Sequence, residues 1–174
     1  MVGSDDSRPA DPLTAPSLAW LGESAGSLRV LAEIWATVDL ERAMAELARG
    51  AVGSGTADTI SAADVVAGAV DDPLLGARVI LVAFGVGASR VALAEPSTEG
   101  RLAATLARHD EGPAGRYVVA PASLAVVRAL AAAADVPLSR PAVGPFGPSV
   151  LVRSGSVSGP HLILVDPAAV PSRP

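Results

Sequence analysis

Two stretches of this chain end alike, each an apolar strand pattern running into acid-proline: "LAEP" at 93–96 and "LVDP" at 164–167. Upstream of each, the patterns come in the same order. In the first half "VLAEIWATV" (30–38) alternates with period two, Val30, Ala32, Ile34, Ala36 and Val38 forming a uniformly apolar face and Leu31, Glu33, Trp35 and Thr37 a mixed one. Asp39 then has the character of a helix N-cap, Leu40, Ala43, Met44 and Leu47 form a helical apolar stripe, and Arg49-Gly50 reads as its C-terminus. Two strand patterns follow, "ARVILVAF" (77–84) and "RVALAEP" (90–96), split by the glycine-bearing turn "GVGAS". The second half repeats the order with "RYVVA" (116–120), a helix capped by Ser123 with Leu124, Val127, Leu130 and Ala131 inward, then "PSVLVRS" (148–154) and "HLILVDP" (161–167).

A duplicated unit of this kind leaves few folds open. Each half-sheet has one face covered by its own helix, and two curved half-sheets share the other face as a cleft. The expectation is an α+β domain of paired βαβββ modules forming a curved mixed sheet around a cleft. Its parts are a flexible N-terminal tail (1–28), a first module (29–97), a linker helix and turn (98–115), a second module (116–167) and a C-terminal tail (168–174). The N-terminal stretch is rich in Pro, Ser, Asp and Gly, and Trp20 is the side chain expected to dock it.

Composition removes several function classes. Thirteen basic against eighteen acidic residues give a net charge of −5 and aromatic residues are 3% of the chain, so neither a phosphate backbone nor stacked bases find a partner surface. The apolar runs, "VILVAFGVGA" (79–88) among them, are too short to span a bilayer. The N-terminus lacks the basic start and apolar run of a secretion signal, and a cytoplasmic location is the expectation. With no cysteine, site chemistry rests on oxygen and nitrogen.

"TVDLERAMAEL" (37–47) resembles the first strand-to-helix junction of the vicinal oxygen chelate superfamily, which includes glyoxalases, bleomycin-resistance proteins and dioxygenases. "ALAEPSTEGRLAATLARHDEG" (92–112) resembles the module linker of its methylmalonyl-CoA epimerase-like branch, where a strand ending in Glu-Pro leads through a helix to a Gly-Glu-Gly turn. The resemblance spans about 29–167 and implies the paired βαβββ fold, a homodimer, and a divalent metal held by one residue from each of four strands. Those ligands are typically His on the first, Gln, Glu or His on the fourth, His on the fifth and Glu on the last. Here they are apparently lost. An ungapped alignment from Asp39 puts Ala32 at the first position, and a one-residue deletion in the turn puts Glu33 there, the reading that strand alternation favours. Ala92 stands at the second, Ala114, Gly115 or Arg116 at the third, and Ile163 at the fourth. Glu33 alone cannot hold a divalent ion, so neither metal nor other cofactor is expected.

Among the remaining residues, Glu33 beside Trp35 on a cleft face is the candidate acid/base, with His161, which shares a face with Ile163 and Val165, or Arg116 as its partner. Arg116 is a candidate clamp for a substrate carboxylate, and Leu31, Trp35, Ala92, Tyr117 and Ile163 are candidate ligand walls. His109, Glu95, Glu111 and Asp166 read as helix-end and turn residues. Three functions fit: binding or sequestration of a small, mostly apolar metabolite without metal; a metal-free isomerase, epimerase or cyclase using Glu33; or a structural dimerisation module. Apolar walls and a single polar residue favour the first, because acid/base catalysis needs two groups of different pKa.

Overall fold

The alternation over 30–36 forms strand β1 (Val30–Ala36), and Asp39 starts helix α1 (Leu40–Gly53) as its sequence position predicts, its Oδ1 accepting the Arg42 amide at 2.9 Å. The computed structural model describes residues 16–22, 28–53, 68–83, 90–153, 157 and 159–171. The expected turn at 85–89 and the chain ends 1–15 and 172–174 lie outside these. The first half continues with β2 (Val70–Asp72), β3 (Ala77–Ala83) and β4 (Arg90–Pro96), and helix α2 (Arg101–His109) links the halves. The second half is β5 (Gly112–Val119), α3 (Leu124–Ala133), β6 (Ala142–Gly144), β7 (Gly147–Val152) and β8 (His161–Val165).

All eight strands form one curved mixed sheet in the order β2-β3-β4-β1-β5-β8-β7-β6. Reading outward from the centre, each half gives the same series: β1 lies parallel to β4, β5 parallel to β8, and the two halves join where β1 meets β5 antiparallel. The paired βαβββ architecture is therefore present, and the sheet curls nearly into a barrel as the edge strands β2 and β6 approach each other. Glu111 braces the junction between halves. It accepts from the Thr37 hydroxyl and the Val38 amide, both at 2.7 Å, and from Arg42 Nη2 at 2.5 and 2.6 Å. Arg42 first, and then these two donors, hold its carboxyl down at about 2. A residue expected to serve only the turn thus pins the linker to the β1–α1 corner.

The two faces of the sheet are packed differently. Outside, α1 covers β3 and β4 through Leu40, Ala43, Met44 and Leu47, the stripe its sequence predicts. The helix α3 covers β5, β8 and β7 through Leu124 and Val127. Inside, Ala32, Ile34 and Ala36 meet Ala92, Ala94, Tyr117, Ile163 and Val165 in the largest buried cluster.

Several local expectations need correction. The α1 helix passes Arg49-Gly50 and runs to Gly53, and β5 begins at Gly112 rather than 116. Ser123 stands before α3 but its side chain makes no capping bond; the Leu124 amide donates instead to Asp166 Oδ2 at 3.3 Å. Leu130 is 39% exposed, because the helix turns only Leu124, Val127 and Ala131 fully inward. The N-terminal segment docks as a 3-10 turn (Pro16–Leu21) through buried Leu18 and Leu21, with Trp20 only partly buried beside them.

Candidate ligand site

Because the sheet curls, its concave side forms a half-barrel with a floor, a middle and a mouth. The floor is α2, whose Leu102 is fully buried. Thr105, one turn on, donates its only hydroxyl proton to the Arg101 carbonyl at 3.0 Å, so at 2.9 Å it is the acceptor for an N–H on His161 Nε2. His161 is 2% exposed, and burial, reinforced by the nearby Arg101 charge, lowers its pKa to about 4. It is a neutral imidazole locked to the floor helix.

The middle is filled. Tyr117 points inward from β5 and donates its hydroxyl to Asp72 Oδ2 on β2 at 2.5 Å, tying a central strand to a sheet edge. Asp72 Oδ1 accepts the amides of Leu74 (2.8 Å) and Leu75 (3.4 Å), making a tight turn. Burial pushes the Asp72 carboxyl up, against these hydrogen bonds, and raises the Tyr117 phenol well above its ordinary value. Leu75 is fully buried beside them, and Phe146 tilts against Tyr117 with ring centroids 5.2 Å apart.

The mouth is open. A cavity of about 480 Å3 lies between Leu31 at the start of β1, Leu81 to Ala83 at the end of β3, Arg90 at the start of β4, the turn Pro145 to Gly147, and the C-terminal segment Ala169 to Pro171. Phe146 lines it, and all of its lining side chains except Arg90 are apolar.

The residues singled out from sequence are dispersed by this geometry. Leu31 lines the cavity. Ala92 and Ile163 belong to the core below, and Tyr117 lies under Phe146 rather than in the wall. His161 is at the floor. Glu33 and Trp35 are corrections: Ala32, Ile34 and Ala36 of β1 turn inward, leaving both exposed on the outer face, where Glu33 meets Arg116 Nε at 3.5 Å. Arg116 accordingly also faces outward, away from any ligand. Sequence reasoning assigned the mixed face to the cleft because ligand sites need polar groups; in this chain the interior is hydrophobic enough to take the other one. The residues it missed are Arg90, Phe146 and Asp72, of which Arg90 left a signal, sharing strand parity with Ala92 and Ala94.

The metal implied by the family resemblance does not fit. Ala32, Ala92, Ala114 and Ile163 face the interior with no donor atom. Gly115 has φ +152, and a Cβ there would come within 2.0 Å of the His161 carbonyl oxygen, so no ligand side chain can grow from it without moving backbone. Among the described residues no three His, Cys, Asp or Glu side chains converge.

No protein-family model and no curated protein sequence matches the chain. Solved structures do resemble it. A methylmalonyl-CoA epimerase in complex with methylmalonyl-CoA and NH4+ superposes with TM-score 0.61 at 21% identity, covering 84% of this chain and 99% of that one. Methylmalonyl-CoA epimerase from Mycobacterium tuberculosis gives 0.59 at 18% identity, covering 82% and 88%. A hypothetical protein from Bacillus halodurans gives 0.57 at 15%, covering 80% and 94%. At these identities the likeness is one of fold: this chain is built as the methylmalonyl-CoA epimerases are, over nearly their full length.

Proposed function

We propose that this domain binds a small, mostly apolar metabolite, without metal, at the mouth of its half-barrel, and holds it rather than converting it. The observation that carries the reading is the cavity of about 480 Å3, within the roughly 300–1,000 Å3 range of small-molecule sites and walled by Leu31, Leu81, Phe146 and Val170. The epimerase structures that share the fold hold CoA esters, and a short acyl chain is the kind of body such a cavity accepts. The enzymatic alternative, a metal-free isomerase, epimerase or cyclase, asks for two groups of different pKa at one point. Glu33 and His161 lie on opposite faces of the sheet and do not form that pair.

The test is saturable binding of N-phenyl-1-naphthylamine, a neutral dye that brightens on leaving water. One dye per chain is expected, with binding lost when Val170→Trp fills the cavity. Absence of saturable binding to the unmodified protein would overturn the proposal and leave a structural role for the fold.

A further inference from the structure

We infer that the ligand of this cavity is an apolar monoanion whose head group is held by Arg90. The inference rests on the binding reading above and adds the chemical class of ligand. Arg90 is the only charged side chain in the cavity wall among the described residues. It is the first residue of β4 and has the parity of Ala92 and Ala94, both of the inner cluster, so it rises from the concave face two pleats above the core. Neighbouring arginines on the sheet are already neutralised, Arg78 by Glu95 and Arg116 by Glu33, whereas Arg90 makes no ion pair among the described residues.

An arginine at the lip of an apolar recess is a selective arrangement. Its guanidinium offers a planar fork that matches a carboxylate or sulfonate. The low-dielectric wall beside it strengthens attraction to an anion and penalises a cation. One positive charge with no other charged side chain in the wall matches a head carrying a single negative charge. The rest of the wall, with Leu31, Leu81, Phe146 and Val170, offers no polar side chain, so the body of the ligand is mostly apolar, with main-chain groups as its remaining polar partners. The volume sets the size at that of a medium-chain or aromatic acid.

Two dyes with one apolar skeleton separate the two readings: 1-anilinonaphthalene-8-sulfonate, which carries one negative charge, and neutral N-phenyl-1-naphthylamine. The unmodified protein is expected to bind the sulfonate more tightly than the neutral dye. Arg90→Gln should weaken the sulfonate about tenfold, as loss of a charge-assisted contact does, while leaving the neutral dye within twofold. Added salt should weaken the sulfonate in the unmodified protein more than in Arg90→Gln. Val170→Trp, or Ala169→Trp where the first fails to fold, should reduce both dyes. If Arg90→Gln leaves the preference between dyes unchanged while the tryptophan variants abolish both, the anion inference is overturned and the binding site stands. If neither dye binds, or the tryptophan variants leave both untouched, the site itself is refuted.

Discussion

His161 shows how a single buried group gives the fold a pH dependence. Unfolded, its imidazole protonates near the ordinary value of 6.5; folded, desolvation and Arg101 hold it to about 4. Between these values the unfolded chain binds more protons, so the His161 contribution is fully present above pH 6.5 and is lost as pH falls through 4, to a limit of about 3 kcal/mol. Asp72, whose carboxyl is raised by burial, acts in the opposite direction. Urea midpoints measured from pH 7.5 to 4.5 should therefore fall more steeply in the unmodified protein than in His161→Leu, and identical slopes would contradict the assignment. The Tyr117–Asp72 bond makes a second case. Tyr117→Phe leaves a buried carboxylate oxygen without its side-chain donor, which costs about 1–3 kcal/mol; an unchanged thermal midpoint would show that the bond does not matter. Neither role was legible in the sequence. Alternation separated Ala32, Ile34 and Ala36 from Glu33 and Trp35, but a register shift between Val30 and Ala32 puts Leu31 inside and leaves Val30 exposed, and period two is silent on which face is inward, so Glu33 was placed on the wrong one. His161 shares the parity of Ile163 and Val165, but instead of opening into a cleft it is buried against Thr105 of the linker helix, because β8 is buried along its whole length.

Helices and long strands declared themselves through periodicity, as α1 did with Leu40, Ala43, Met44 and Leu47. The three-residue strands β2 and β6 left no such pattern, since Val70–Asp72 and Ala142–Gly144 are too short to show a period and their pairing is decided by β3 and β7. The linker helix was visible as a helix, yet its role as the floor of the half-barrel was not, because that depends on contacts with β1, β4 and β5 far away in sequence. Leu102 carries that role. Truncating it to Ala should cost about 2–5 kcal/mol, the range for a fully buried leucine. Exposed Arg108→Ala on the same helix should change stability by less than about 0.5 kcal/mol. Chemical denaturation of the two variants checks the contrast, and equal small effects would mean that α2 rests on the barrel without plugging it.

The curvature that brings β2 to β6 also decides what the domain can hold. Closing the half-barrel around Tyr117, Leu75 and Leu102 consumes the space in which ligands from four strands would have to converge, and leaves a recess at the mouth. Zn, Co, Ni and Mn should accordingly be found well below one per chain and should not raise the thermal midpoint; a stoichiometric ion would refute this. Outside, the two helices cover the flanks of the sheet and leave Trp35 of β1, 44% exposed, beside the Glu33–Arg116 pair, with Val30 exposed at the start of the strand. A homodimer joined through this face is the expected assembly. An exposed aromatic side chain such as Trp35 can meet its own image across a twofold axis. Light scattering should then give twice the mass of one chain, and Trp35→Asp, which places a charge on this face without touching the interior, should yield a folded monomer; a monomeric unmodified protein would contradict it.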